Sequence, residues 1–352
     1  MKPFRFGVNV WHASSRAEWV EKARKVEELG FSTLTVPDHL TNLFSPIPAA
    51  LCAAEATKHL RVGTNVLNND LRHPVLVARE AATVDLLTEG RFQLGLGAGS
   101  LRSEYDEAGL GFDRGATRVE RLSEAITIIK GLLKGEQVTF AGRHYRVTGH
   151  TIAPLPVQRP HPPILIGGNG PRLLSLAARE ADIVGFSGIN FQQGGTIPPD
   201  LSGWRASSID ERVQLVREVA GAERSARLEL NALVQRVVVT DDRRRAAEEL
   251  TSRWTQLTSD EILQSPYVLI GTIDQMVEDL CARRERWGIS YYVIFEPYLD
   301  AFARSSVASL AGRRTRAHTS RPRSGNKPPR PLRFLRDFYG KDFFFLTSVS
   351  SW

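Results

Sequence analysis

One stretch constrains the fold more than any other: Leu60 to Ser100, LRVGTNVLNNDLRHPVLVAREAATVDLLTEGRFQLGLGAGS. Arg61–Leu67 is an apolar run with β-branched Val62, Thr64 and Val66, the pattern of a strand buried on both faces. Asn68, Asn69 and Asp70 break it, and Pro74 suits the first turn of a helix. Over Val75–Leu87 the apolar residues fall mainly on one helical face, and Gly90 follows as a left-handed stop. Phe92–Leu96 is the next strand, running out into Gly97-Ala98-Gly99-Ser100. Two buried strands joined by an amphipathic helix make a parallel βαβ crossover. The loops after the carboxyl ends of such strands carry the chemistry, which directs attention to Asn65–Asp70 and Gly97–Glu104.

The rest of the chain repeats this unit. Strands are expected at Phe4–Val10, Ser32–Val36, Ile164–Ile166, Ile183–Phe186, within Leu228–Val239 and at Ser290–Phe295. Helices are expected at Ser15–Leu29, Pro46–Lys58, Thr117–Lys134, Pro171–Arg179, Ile209–Val219, Arg244–Trp254 and Ile273–Trp287. Eight strands alternating with eight helices predict a closed (β/α)8 barrel, with an open doubly wound sheet as the weaker alternative. Three longer excursions interrupt it, near 101–116, 136–162 and 187–206, and the middle one, QVTFAGRHYRVTGHTI, alternates like a β-hairpin.

Charge separates a body from a tail. The 352 residues carry a net +7, yet residues 304–352 hold eleven of the 46 Lys and Arg and two of the 39 Asp and Glu. The first 303 residues are therefore slightly acidic, and no nucleic-acid partner is expected for them. Residues 1–303 are expected to form the barrel, and 304–352 a basic Pro/Arg-rich extension outside it, disordered over about 313–331. A basic arm is the functional reading of that tail; a non-homologous extension, even a shifted reading frame, outweighs it. Its Phe343–Leu346 run reads as an aggregation liability. No apolar run suits a membrane span, and the start alternates like a strand rather than a signal peptide. Cys52 and Cys281, both in helical patterns, are expected to be buried and inert in a reducing cytoplasm. No metal is expected, since no His or Cys pair has ligand spacing.

Several residues are candidates for chemistry. In Gly167-Gly168-Asn169-Gly170-Pro171 the chain opens a helix with backbone N–H groups outward and Arg172 close behind; a phosphate cradle and a ligand-free tight turn fit it equally. Gly95–Gly99 lacks the third glycine of a dinucleotide fingerprint, and no helical pattern begins before Thr117. His39 beside Asp38 ends the second strand, where it could hydrogen-bond a cofactor or move a proton; taken alone, a packed or solvated histidine is the commoner case. Glu104 reads as a helix-start carboxylate, and Ser100 has no local partner. Asn65, Asn68 and Asn69, in and after a buried strand, either close turns or face a ligand.

GTNVLNNDLRHPVLVAREAATVDLLTEGRFQLGLGAGSLRSEYDEAG resembles the signature region of the bacterial luciferase-like monooxygenase superfamily, and within it the F420-dependent oxidoreductases. The resemblance extends through PDHL, GGNGP, IGT and SYYVIF, over about residues 3–303. It implies a (β/α)8 barrel that binds coenzyme F420, or FMN as the alternative, against a bulge in the third strand containing a non-proline cis peptide at Asn65-Val66. It also implies that Asp38-His39 borders the ring and Asn68 meets its polar edge. Gly97, Ala98, Gly99 and Ser100 would run beside the cofactor side chain, and Gly167, Gly168, Asn169, Gly170 and Arg172 would hold its phosphate. His39 would move or orient a proton during hydride transfer between the deazaflavin C5 and a small organic substrate. Relatives are often homodimers, and an FMN enzyme would draw reduced cofactor from a separate reductase. Some F420-dependent sugar-phosphate dehydrogenases have a glutamate where this chain has Ser100, and an aromatic shortly after the His where it has Leu43 or Phe44; the absence of the glutamate argues against that activity. A non-catalytic barrel for a phosphorylated ligand is the reading from another class.

Overall fold

The computed structural model describes residues 1–189 and 200–303. The expectations for the tail, and for residues 190–199 of the third excursion, lie outside the described residues.

The chain builds strand–helix units in order. The first are β1 (Arg5–Asn9) with α1 (Arg16–Glu28), and β2 (Thr33–Val36) with α2 (Pro46–Glu55). Next come β3 (Arg61–Thr64), the short β4 (Leu67–Asn68), α3 (Pro74–Leu87) and β5 (Phe92–Gly97). After α4 (Arg102–Glu107) and α5 (Gly115–Lys134), β6 (Val138–Ala141) and β7 (Arg146–His150) form the expected antiparallel hairpin. Then follow β8 (Ile164–Gly167), α6 (Pro171–Glu180), β9 (Ile183–Phe186) and α7 (Ala206–Arg227). The remainder is β10 (Glu229–Val234), β11 (Arg236–Val239), α8 (Arg243–Thr251), α9 (Ser259–Gln264), β12 (Val268–Gly271), α10 (Ile273–Trp287), β13 (Ile289–Phe295) and α11 (Leu299–Ala303).

Eight strands pair in parallel around a ring: β1, β2, β3, β5, β8, β9, β10 and β13, with β13 returning to β1. The seam between β3 and β5 is paired too, Val62 with Phe92 and Gly63 with Gln93, so the sheet is closed and the open doubly wound alternative falls. The helices cover the ring from outside. On α3, Val77, Ala78, Ala81, Ala82 and Val84 are buried against it, whereas Leu86, expected on that face, is exposed.

The seam is also where the barrel is irregular. Val62 pairs with Phe92 and Leu67 with Leu96, so β3–β4 spends five steps where β5 spends four. The extra residue makes a bulge, and inside it the Asn65–Val66 peptide is cis. Close approach elsewhere on the seam requires glycine. A Cβ on Gly63 would lie 2.4 Å from the Gln93 carbonyl oxygen, and one on Gly95 would lie 2.0 Å from that of Thr64.

Other expectations need correction. The strand placed within Leu228–Val239 is two strands, because at Gln235 the chain leaves the barrel; its N–H donates to the Tyr267 carbonyl and β11 goes on to pair with β12. The 101–116 excursion, read as non-helical, contains α4. Cys52 and Cys281 are free and half-buried rather than buried, because each sits at the edge of its helix's packed face. Among the described residues no helix is long and apolar enough to cross a membrane.

The entry to β3 is pinned by one carboxylate. Glu27, near the end of α1, accepts the backbone N–H groups of Lys58 (3.0 Å), His59 (2.6 Å) and Leu60 (2.8 Å). Partial burial opposes its ionisation, but the three donors prevail and hold it below its ordinary value. A depressed carboxylate contributes stability above its unfolded pKa and loses it as pH falls through the folded one. Glu27→Ala is therefore expected to cost about 1–2 kcal/mol at pH 7. The deficit should shrink below about pH 4, as checked by denaturant unfolding at several pH values.

Candidate active site

The carboxyl ends of the barrel strands form one mouth. Under its β3–β8 side lies a platform of glycines backed by Val66. A Cβ on Gly97 would come 2.6 Å from Val66 Cγ2, and one on Gly95 or Gly167 would come 3.2 Å from Val66 Cγ1. The bulge thus turns the valine side chain across strands narrowed to glycine, giving a flat apolar surface. Beside it the Asn65 side-chain nitrogen is buried with no hydrogen-bond partner among the described residues. A buried amide N–H without an acceptor is costly, so platform and donor together fit a planar ligand carrying an acceptor at its edge.

A polar clasp holds the adjacent loop. The Asp38 carboxylate accepts the Asn68 N–H (2.9 Å) and both arms of the Arg72 guanidinium, one of them at 3.2 Å. Asp38 is thus committed to bracing the bulge. The Asn68 side-chain oxygen accepts the Asp70 N–H at 3.1 Å and lies 3.0 Å from the Tyr105 hydroxyl, which is also 3.0 Å from Asp70 Oδ2. Arg121 Nη1 closes the group on Asp70 at 2.8 Å. Burial, with Asp70 adding, pushes the Tyr105 hydroxyl up, so it stays protonated and can donate. The loop fits this clasp only as glycine at position 99, where φ is +76° and a Cβ would fall 2.0 Å from the Tyr105 oxygen. Gly97 and Ala98 are buried, and Gly99 and Ser100 half-buried.

The third group was not expected from the sequence. His39 Nδ1 lies 2.7 Å from Glu104 Oε1, and Glu104 is 4% exposed. The short α4 turns Glu104 and Tyr105 inward while Arg102, Ser103, Asp106 and Glu107 stay exposed. Glu104 is therefore a partner of His39 and more than a helix-start carboxylate. A six-residue helix is too short to show a periodicity, so the only signal was Glu-Tyr four residues after the glycine loop.

The GGNGP loop divides by role. Asn169 fastens it: its Oδ1 accepts the Gly188 N–H (2.9 Å), and its Nδ2 donates to Ser187 Oγ (2.9 Å) and the Ile189 carbonyl (2.6 Å). Gly170 and Arg172 remain exposed where α6 begins without a side-chain cap, and among the described residues, chain neighbours aside, no atom lies within 4 Å of a Cβ placed on Gly170. An exposed helix N-terminus with an arginine beside it suits a phosphate. Across the mouth, at the ends of β1 and β13, Trp11 and Phe295 meet edge to face with centroids 5.6 Å apart. Among the described residues no cluster of His, Cys, Asp and Glu could hold a metal.

A closed barrel with a braced acid–base pair at its carboxyl mouth is the layout of a (β/α)8-barrel enzyme. Residues 2–291 match the luciferase-like monooxygenase family, and the chain belongs to it. A relative from Nakamurella multipartita, named F420-dependent glucose-6-phosphate dehydrogenase, is 31% identical over 269 residues, 72% of this chain and 73% of that protein. One of the same name from Microbacterium testaceum is 35% identical over 192 residues, 51% of this chain and 55% of that protein, so the match spans about half its length. The fold is shared with an F420-dependent secondary alcohol dehydrogenase (TM-score 0.68, 18% identity, covering 88% of this chain and 99% of that one). It is also shared with a long-chain alkane monooxygenase (TM-score 0.70, 15% identity, 89% and 92%).

Proposed function

We propose that this chain is an F420-dependent oxidoreductase, with His39 as the group that moves a proton while hydride passes between the cofactor and a small organic substrate. The observation that carries the reading is the 2.7 Å His39–Glu104 pair on the same mouth as the glycine platform. When bound, the deazaflavin supplies the hydride-exchanging carbon, C5. The chain supplies position and proton handling. Val66 and the glycines at 95, 97 and 167 would support one face of the ring, and the Asn65 amide would donate to its edge. Gly97 to Ser100 would flank the side chain, and Gly170 and Arg172 would receive the phosphate; the Gly168 N–H is already donated to the Gly185 carbonyl (3.0 Å) and, with paired Gly167, holds the turn in place. Asp38, Asn68 and Asn169 act through the loops they brace. Trp11 and Phe295 give the substrate side an aromatic wall, which favours a substrate with an apolar part.

F420 is preferred to FMN because the relative matched over most of its length bears an F420-dependent name. A luciferase-like monooxygenase using reduced FMN and oxygen is the second reading, supported by the shared fold of the alkane monooxygenase. The test is anaerobic incubation of the full chain with oxidised F420 and a panel of alcohols, following loss of the deazaflavin's visible absorbance. Turnover with any of them supports the reading. Oxygen uptake with reduced FMN, and no F420 turnover, would replace it with the second. Arg172→Ala is expected to weaken F420 binding about tenfold, or about 1.4 kcal/mol, with a shallower salt dependence. Because Arg172 is exposed, thermal stability should not change.

A further inference from the structure

We infer that Glu104 is the positioning residue of His39, holding the imidazole in the tautomer that carries its proton on Nδ1 and leaving Nε2 as the proton acceptor. The inference about the tautomer stands on the apo chain; its catalytic consequence rests on the function proposed above.

The geometry constrains the pair from both sides. His39 follows the end of β2, and its neighbour Asp38 is tied to Arg72 and the Asn68 N–H, so the turn carrying the imidazole is fixed. Glu104 sits on α4, and the next residue, Tyr105, anchors that helix. The Tyr105 hydroxyl is within 3.0 Å of Asn68 and Asp70, and its ring packs edge-on against Phe112 with centroids 4.9 Å apart. The backbone on either side of the pair is thus held by contacts outside it. An ionised carboxylate only accepts, so the proton between Oε1 and Nδ1 belongs to the imidazole. In the neutral ring the lone pair then sits on Nε2, on the edge turned away from Glu104. With a carbinol as substrate and the deazaflavin bound as hydride acceptor, Nε2 would take the hydroxyl proton. The imidazolium so formed lies against the Glu104 carboxylate, which stabilises it.

The test uses the full chain with 15N-labelled histidine and no cofactor, at a pH well above the ordinary histidine range. Eight histidines are present, and His39→Ala identifies the signal in question. The wild type is expected to show a protonated Nδ1 and a bare Nε2 at His39, and Glu104→Gln to collapse that into a mixture of tautomers with the fold retained by circular dichroism. In the loaded enzyme Glu104→Gln should lower kcat about 100-fold with KM and F420 affinity little changed. A wild-type His39 protonated on Nε2, or a Glu104→Gln variant with unchanged tautomer and kcat, overturns the inference. Should F420 not bind at all, the function proposed above fails while the tautomer measurement still decides this one.

Discussion

Replacing His39 with alanine is expected to lower hydride-transfer turnover about 1,000-fold while F420 affinity stays nearly unchanged. The two effects separate because the mouth separates them. The surfaces assigned to the cofactor are the Val66–glycine platform and the start of α6, and neither depends on the imidazole. His39 has a different position, at the end of β2, with its side chain 28% exposed and Nδ1 on Glu104. Removing it takes away the group that carries the substrate's proton and leaves the reaction to water, which is the basis for the size of the effect. It also leaves a carboxylate, 5% exposed, without its partner. That costs stability, so His39→Gln, whose amide can still donate to Glu104, is the matched control. It should match the wild type in unfolding temperature and the alanine variant in kcat. Steady-state kinetics, F420 titration and thermal unfolding of the three proteins decide it. Loss of affinity without loss of kcat would show that His39 holds the cofactor instead of moving a proton.

Gly95→Ala should have the largest effect on stability. At the β3–β5 seam the added methyl would lie 2.0 Å from the Thr64 carbonyl oxygen and 2.9 Å from its carbon. Both are backbone atoms of a neighbouring strand and cannot move aside as a side chain would. The same two residues are laced together by the Thr64 hydroxyl, which donates to the Gly95 carbonyl (2.8 Å) and accepts its N–H (2.9 Å). Separating the strands loses both bonds and opens the ring where the bulge already interrupts it. Overpacking of this kind costs about 3 kcal/mol, and in a chain of this size that is a fall in Tm of about 4–5 °C. Gly170→Ala, with open space around the new methyl, should leave Tm unchanged. A Gly95→Ala variant as stable as the wild type would mean the seam is not closed as described.

What could be read from the sequence was periodic or local. Strands such as Ile183–Phe186 and Phe92–Gly97 announce themselves because a strand buried on both faces is apolar throughout, and the helices between them because one face repeats. Gly90 and Pro74 marked the ends of α3 because backbone conformation there depends on the residue itself. The Asn65–Val66 bulge was reached only through resemblance, since nothing in the two side chains encodes it. What stayed hidden was long-range. Asp38 pairs with Arg72 across 34 positions and His39 with Glu104 across 65, and no spacing rule connects residues brought together by barrel closure. Asn169 could be read as a phosphate ligand because its links to Ser187, Gly188 and Ile189 exist only once β8 and β9 lie side by side. At Gln235 an apolar run continued through the point where the chain left the barrel, because β11 is itself a strand, paired elsewhere.

The central claim is that the platform and the α6 start hold a deazaflavin. Parallel fluorescence titrations of the purified full chain with F420 and FMN, each oxidised and reduced, test it most directly. The account predicts F420 binding at about micromolar Kd or tighter, with FMN at least about tenfold weaker, a difference of about 1.4 kcal/mol. Preference for reduced FMN, or binding of neither, would contradict it.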